Sequence, residues 1–269
     1  MRALYEDFRS QPSSHWKRYV VGDGALEPTG SSLLFVNTDT TARRYTDAQI
    51  DDYQGLSRRR FHWGPPLTLT VRARFSHDRG VLSGTAGFGF WNDPFMMTGK
   101  RLPTLPRVLW FFYASPPSDM KLDLETPGHG WKAATLDAMR SPFFLLAPFA
   151  PLAIPLMNVS ALYRALWPVA QRGIGVREAA LDMPMTEWHT YSIKWRSDRA
   201  RFTVDGDQVL EAESPPGKAL GFVMWLDNQY AIVKPWGRLG YGLLDAPGRQ
   251  WMEVDRLAIE PASTGPRDS

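Results

Sequence analysis

Two polar clusters in the sequence could take part in chemistry, and each follows a strongly apolar run. Residues 91–94 read WNDP, and residues 227–230 read DNQY. A carboxylate and an amide beside aromatic rings suit a ligand with hydroxyl groups, because ligand sites combine apolar walls with a few polar groups. The sequence therefore predicts Asp93 and Asp227 as catalytic or anchoring carboxylates. Asn, Asp and Pro are also common turn formers, so both clusters remain interpretable as plain turns.

The side chains around these carboxylates are the predicted ligand-binding residues. Trp91, Trp110, Tyr113 and Trp225 are expected to form the floor of a groove. The full predicted binding set is Trp91, Asn92, Trp110, Tyr113, Trp225, Asn228, Tyr230 and Trp236.

Other kinds of site find less support. Asp119, Asp123 and Glu125 could act as paired acids, but they also suit a solvated strand face. The histidines lack the spacing of a zinc site, and the chain contains no cysteine, so we expect no metal centre and no disulfide. Neither a G-x-S-x-G nucleophile motif nor a phosphate-binding loop occurs, and no cofactor is predicted.

Composition limits the partners. The 269 residues carry a formal net charge of only +3, which is too small to indicate a nucleic-acid partner. The first sixteen residues lack the apolar segment of a secretory signal, so we expect a cytoplasmic protein. A small molecule or saccharide is the expected partner, and the oligomeric state is left open.

The patterning of the chain predicts an all-β fold. Residues 67–75, LTLTVRARF, alternate strictly between apolar and polar residues, as in a half-buried strand. Residues 108–113 are apolar on both faces and predict a central strand. Residues 186–210 contain two strands and an Asp-Gly turn, which predicts successive hairpins. We expect one β-sandwich domain over residues 1–260, with a disordered tail at 261–269.

One long stretch breaks this pattern. Residues 141–163 contain no charged residue, and four prolines at 142, 148, 151 and 155 interrupt them. Proline inside a helix costs roughly 3 kcal/mol, so short packed helices are favoured over a membrane span, with a lipid-facing lid as a further alternative. We expect a helical insertion at about 137–180 that covers the groove. The side chains expected to face inward are Phe143, Phe144, Leu145, Phe149, Leu152 and Ile154. The competing interpretation is that the insertion packs on the convex side and fills a core there.

Three segments carry a family resemblance. Residues 188–195 read WHTYSIKW, residues 201–206 read RFTVDG, and residues 252–259 read MEVDRLAI. Together they resemble glycoside hydrolase family 16, of the laminarinase and lichenase type. The resemblance implies a concanavalin A-like jelly roll of two curved antiparallel sheets with a groove on the concave sheet. It also implies a candidate structural calcium ion near Asp255.

The family carries its catalytic acids as E-x-D-x-x-E on a central strand. The expected counterpart here, residues 108–113, has no carboxylate. We therefore expect saccharide or glycoconjugate recognition in an aromatic groove, without hydrolysis by the family's residues. Two alternatives stay open. One is an enzyme with displaced carboxylates or with an apolar metabolite under the lid, and the other is a structural or interaction module.

Overall fold

The computed structural model describes residues 3–9, 12–95, 102–213 and 215–261. Most of the elements within these ranges are strands, as the sequence predicts. The strands are β1 (Leu4–Glu6), β2 (Lys17–Val21), β3 (Gly24–Pro28), β4 (Leu33–Thr40), β5 (Asp47–Asp51), β6 (Leu67–Phe75), β7 (Thr85–Trp91), β8 (Arg107–Ala114), β9 (Asp119–Met120), β10 (Gly130–Asp137), β11 (Arg177–Ala180), β12 (His189–Trp195), β13 (Arg199–Val204), β14 (Asp207–Glu213), β15 (Gly221–Asp227), β16 (Gln229–Val233), β17 (Leu239–Leu243) and β18 (Ala246–Pro261). The helices are α1 (Ser141–Leu146), α2 (Ala150–Leu156) and α3 (Ser160–Gly173), with 3₁₀ turns at Arg58–Arg60 and Ala147–Phe149.

The strands form two large antiparallel sheets and one small sheet. The first sheet has the order β14-β13-β12-β6-β18-β4-β3, with β1 also paired to β18. The second has the order β11-β10-β8-β7-β15-β5-β2. A small sheet, β17-β16-β9, lies beside them. This is the predicted jelly-roll sandwich, and the predicted hairpins at β12, β13 and β14 lie together at one edge of the first sheet.

The core lies between the two large sheets and follows from strand alternation. In β6 every second residue is buried, because side chains along a strand alternate between the two faces of the sheet. Rings from the second sheet fill the space opposite. Phe88 lies 5.8 Å from Trp131 and 5.2 Å from Tyr191 between ring centroids, so both sheets contribute to one aromatic core.

The helical insertion is present where it is expected. Helices α1 to α3 occupy residues between β10 and β11, two neighbouring strands of the second sheet. Three of the four prolines stand at helix starts, where no backbone N–H is needed, and Pro155 lies inside α2. None of the helices seen in the described ranges is both long and apolar enough to cross a membrane. Residues 262–269 lie outside the described residues, so the disordered tail stays a prediction.

A covered aromatic cavity as candidate functional site

A cavity of about 680 Å³ lies between the helices and the outer face of the second sheet, which is the face turned away from the core. We call it the covered cavity. Strands β7, β8, β10 and β15 form its floor, helices α1 to α3 form its roof, and the β9–β16 sheet closes one side. The helical insertion thus lies over a sheet face and borders a cavity of the size that ligands occupy.

The floor is a cluster of aromatic side chains. Trp110 stacks on Phe112 with 5.1 Å between ring centroids, and it lies 5.4 Å from Trp225 and 6.0 Å from Trp91. Residues 110 and 112 share one face because side chains alternate along β8. Gly87 pairs with both Phe112 and Trp225 and adds no side chain between them. Three of the predicted floor residues, Trp91, Trp110 and Trp225, therefore meet as expected.

Tyr113 does not join them. It is fully buried in the core between the sheets, where its hydroxyl donates to the carbonyl of Leu82 at 2.8 Å. The prediction was wrong because residues 110 and 113 are three positions apart and must face opposite sides of a strand. Phe112 takes the place that the sequence interpretation assigned to Tyr113.

Asp227 lies at one flank of the covered cavity, at the end of β15. Its Oδ1 accepts hydrogen bonds from the Thr85 hydroxyl at 2.8 Å, the Thr85 amide at 3.2 Å and the Gln229 amide at 3.0 Å. Trp225 Nε1 donates in turn to the Thr85 hydroxyl at 2.9 Å, so the floor and the carboxylate are linked. Burial raises the pKa of Asp227 to about 6, although these hydrogen bonds oppose the rise.

Asp47 stands directly opposite Asp227 on β5. The sequence interpretation did not single it out. Burial and then the charge of Asp227 raise the pKa of Asp47 well above its ordinary value. Tyr45 donates to Asp47 Oδ2 at 2.9 Å, while Asp47 Oδ1 is buried without a hydrogen-bond partner in the described part of the chain. Tyr45 lines the covered cavity, whereas Asp47 lies just outside its lining.

A second polar pair marks the opposite flank. Lys132 on β10 and Glu178 on β11 both line the covered cavity, and their Nζ and Oε2 atoms are 3.4 Å apart. Both side chains are buried, so desolvation lowers the pKa of Lys132 and raises the pKa of Glu178. Polar groups thus stand on both flanks of an aromatic centre.

Three predicted site residues lie away from the cavity lining, and two of them, Asn92 and Asn228, bind backbone groups instead. Asn92 Oδ1 accepts from the Arg107 amide, and its Nδ2 donates to the Leu105 carbonyl. Asn228 Oδ1 accepts from the Thr46 amide, and its Nδ2 donates to three loop carbonyls. Asp93 is fully buried, and its backbone carbonyl accepts from Arg58. The structure therefore does not bring Asp93 and Asp227 together at the cavity.

Tyr230 and Trp236 fall at different places. Tyr230 lines the covered cavity beside Gln229, as expected of a ligand-binding residue. Trp236 lines a neighbouring open pocket of about 570 Å³, where it packs edge-on against Tyr163 with 5.1 Å between ring centroids. It is separate from the aromatic floor.

The roof uses only part of the predicted inward-facing set. Phe143, Phe149 and Ile154 line the covered cavity, together with Leu146 and Met157. Phe144, Leu145 and Leu152 were expected to face inward, but they are exposed. Lining positions 143, 146, 147, 150, 153, 154 and 157 follow helical spacing, which turns Phe144, Leu145 and Leu152 away from the cavity, while Phe149 lies at its edge.

The acidic residues offer little to a metal ion. Asp255, near which the resemblance implies a candidate calcium ion, forms an ion pair with Arg72 through Oδ2. Asp123 accepts hydrogen bonds from the Thr126 amide and from Gln171 Nε2, and it anchors α3 rather than forming an acid pair with Glu125. The described residues contain no group of three His, Asp or Glu side chains placed to hold a metal.

Comparison with known proteins supports the resemblance. A family model described as "Glycosyl hydrolases family 16" matches residues 169–224, which include the hairpin strands β12 to β14. In sequence, no curated protein matches the chain. The fold and the resemblance predicted from the sequence are thus confirmed. The matched segment, residues 169–224, covers only part of the chain.

Solved structures with this jelly-roll fold superpose over nearly the whole chain. A β-1,3-1,4-glucanase (lichenase) from a mouse hindgut metagenome is 14% identical with a TM-score of 0.55, covering 97% of this chain and 100% of its own. A Mycobacterium tuberculosis immunostimulatory antigen and pseudo β-1,3-glucanase is 12% identical with a TM-score of 0.55, covering 96% and 98%. A Crh5 transglycosylase in complex with NAG is 13% identical with a TM-score of 0.52, covering 97% and 84%. At these identities the likeness establishes the fold.

Proposed function

We propose that the covered cavity binds a glycoconjugate or a similar amphiphile, with its sugar on the aromatic floor and its apolar part under the helices. The observation that carries this proposal is the composition of the cavity. Trp91, Trp110, Phe112 and Trp225 form an aromatic floor, and the roof is aliphatic and aromatic. Aromatic faces suit sugar rings, and Asp227 at the flank suits hydroxyl groups. The similar glucanases and the NAG-bound transglycosylase favour a sugar as the polar part of the ligand.

The roof argues against a long polysaccharide. An extended glucan needs an open cleft along the sheet, but α1 to α3 lie over this face and leave about 680 Å³. That volume lies within the range of roughly 300–1,000 Å³ that small-molecule sites occupy. A ligand with one or two sugar units and an apolar part fits these walls better than a polymer.

The cavity carboxylates favour binding over two-acid hydrolysis. Within the described residues only Asp227 and Glu178 line the cavity with carboxylates, on β15 and β11. Strands β10, β8 and β7 separate them, and neighbouring strands lie about 4.8 Å apart, so their backbones are roughly 19 Å apart. Glycoside hydrolysis uses two carboxyl groups about 5–9.5 Å apart.

One observation nevertheless favours a hydrolase or transglycosylase as the second candidate. Asp47 and Asp227 are cross-strand partners, and facing residues in antiparallel strands have Cα atoms about 4.5–5.5 Å apart. With both pKa values raised, the pair holds a proton to higher pH than ordinary carboxyl groups do, which is the direction that a general acid requires. Release of 4-nitrophenol from 4-nitrophenyl β-D-glucoside, abolished in Asp227→Asn and Asp47→Asn, would support this candidate. Failure of either variant to reduce turnover would exclude the pair as its acids.

Binding is best tested with three probes that separate the two halves of an amphiphile. Octyl β-D-glucoside carries both halves, laminaribiose carries only sugar, and 1-octanol carries only the chain. We expect octyl glucoside to shift the tryptophan emission and to raise the melting temperature more than either other probe.

Two tryptophan variants make this test specific. Trp110→Leu should weaken octyl glucoside binding about tenfold or more, which corresponds to about 1.4 kcal/mol. Trp236→Leu in the neighbouring pocket is the matched control and should bind as the parent does. If 1-octanol binds as tightly as octyl glucoside, the cavity does not recognise sugar and the proposal is wrong.

A further inference from the structure

The outer surface of the helical roof is apolar, which is unusual for a surface that faces water. Within α1, α2 and the turn between them, the positions after Ser141 that do not line the cavity are still phenylalanine, leucine and proline. Leu145 is 73% exposed and Leu152 70%, and Phe149, at the edge of the cavity, is 66% exposed. A helix that is apolar all round belongs in a protein core or in lipid. We call this surface the roof face, and its exposed apolar side chains are Phe144, Leu145, Phe149, Leu152, Leu156, Val159 and Leu162.

The charged residues of the helical insertion itself have one sign. Between Asp137 and Glu178 the chain has four arginines and no acidic residue. Arg164 and Arg172 are exposed on α3, and Arg177 is exposed at the start of β11. Cationic side chains bordering exposed apolar ones match a membrane surface with anionic lipids, because the apolar groups enter the acyl boundary while the arginines remain at the headgroups.

We infer that the roof face docks on an anionic lipid bilayer, lying in its surface without crossing it. The short helices exclude a span, yet seven exposed apolar side chains form a patch of the kind that marks an interaction surface. A bilayer is favoured over a protein partner because the insertion sets only arginines and small polar groups such as Asn158 beside its exposed apolar side chains, with Glu125 of the neighbouring pocket next to Arg164. The inference stands independently of what the covered cavity binds.

The roof has apolar side chains on its inner surface and on its outer surface. Met157 and Trp167 are buried against the body of the protein, while Leu145 and Leu152 are presented outward. Trp167 Nε1 donates to the Leu122 carbonyl at 3.1 Å, and Gln171 Nε2 donates to Asp123 at 2.6 Å, so α3 is fixed to the sandwich. Substitutions on the roof face therefore change its outer chemistry without touching the bonds that hold the roof in place.

The test is flotation of the full chain with vesicles of phosphatidylcholine alone or with 30 mol% phosphatidylglycerol. We expect the parent to float with both, and about tenfold more strongly with the anionic vesicles at low salt. The double variant Leu145→Asp/Leu152→Asp should lose binding to both by at least tenfold, with an unchanged melting temperature. Val81→Asp, at a residue that is 63% exposed in the loop between β6 and β7, is the matched control and should float as the parent does.

Three results would overturn the inference. One is no flotation with either vesicle. Another is that the double variant still floats with anionic vesicles as the parent does, because such binding needs only charge attraction and not the apolar side chains. The third is a dimer seen by analytical ultracentrifugation that the double variant abolishes, without vesicle binding, because the roof face is then an interface between two copies. Octyl glucoside binding, measured on the same variants, keeps failure of this inference separate from failure of the proposed ligand site.

Discussion

Asp47 and Asp227 face each other across β5 and β15, two buried carboxyl groups on neighbouring strands. They are 180 positions apart in the sequence, and only the pairing of β15 with β5 brings them together. Burial raises the pKa of both, so this corner beside the covered cavity holds protons to higher pH than ordinary carboxyl groups do.

This arrangement predicts a pH-dependent stability. Asp227 binds its proton more tightly when folded, with a pKa of about 6 against roughly 3.9 unfolded. Its contribution is therefore most favourable below pH 4, declines as pH rises to about 6, and then stays constant. Asp227→Asn retains an Oδ1 acceptor for Thr85 and Gln229 and cannot ionise. The variant should gain stability relative to the parent between pH 4 and 7, by on the order of 3 kcal/mol at most.

Urea denaturation at pH 4, 5, 6 and 7 measures this difference. The pKa of Asp51 is also raised to about 6 by burial, so the Asp227→Asn variant keeps some of the pH dependence of stability. Asp207→Asn, at an exposed aspartate at the start of β14, serves as a control and should leave the parent slope unchanged. A stability difference between Asp227→Asn and parent that is the same at all four pH values contradicts the prediction.

Asn228 should contribute strongly to stability without contributing to binding. Its amide makes one bond to the Thr46 amide and three to the carbonyls of Thr41, Arg44 and Leu244, and it is almost fully buried. Asn228→Ala leaves these groups without a partner, so we expect a loss of about 2–4 kcal/mol.

The comparison is Asn158→Ala, which removes one bond, to the Pro155 carbonyl, from an exposed side chain. That loss should stay below about 1 kcal/mol by urea denaturation. Equal losses in the two variants would show that the hydrogen bonds of Asn228 are not what stabilises this end of the sandwich.

Gly87 should be needed for the shape of the aromatic floor. A Cβ at this position would come within 2.9 Å of the Trp225 ring and 2.4 Å of the Phe111 carbonyl oxygen. Gly87→Ala must therefore displace the ring or bend the strand, and we expect a loss of about 1–3 kcal/mol and weaker octyl glucoside binding. Gly217→Ala, where a Cβ meets nothing within 4 Å, should have the parent's melting temperature and affinity. Parent-like binding by Gly87→Ala would mean that the floor is not the ligand surface.

Much of the fold could be predicted because its signals are local. The alternation of β6 and the hairpins of residues 186–210 depend on neighbouring residues, and the prolines of the insertion limit its helices to short pieces. The aromatic floor was found for the same reason, since each tryptophan ends or occupies an apolar strand. Placing Tyr113 on that floor was an avoidable error, because strand alternation already excluded it.

The rest of the site depends on strand order, which local patterns do not specify. Asp47, Lys132 and Glu178 lie on β5, β10 and β11, and only the sheet order places them around the same cavity. One signal was available: residues 47, 49 and 51 are polar at every second position, which marks one face of a strand. Asn92 and Asn228 looked like ligand donors because sequence does not show the backbone groups they bind.

Removal of the helical roof tests most directly whether the β-sandwich folds without the helices. The core cluster between the two large sheets contains no residue from 141–173, so the sandwich should fold without the helices. Replacing 141–173 with a Gly-Ser linker should leave a β-type circular dichroism spectrum and a cooperative melting transition, while octyl glucoside binding is lost. The linker joins β10 to β11, which already pair as neighbours, so a short connection is enough. If the shortened protein shows no cooperative transition, the helices are part of the structural core, as the competing interpretation of the insertion holds. A folded protein that still binds octyl glucoside with the parent's affinity would show instead that the ligand does not lie under the roof.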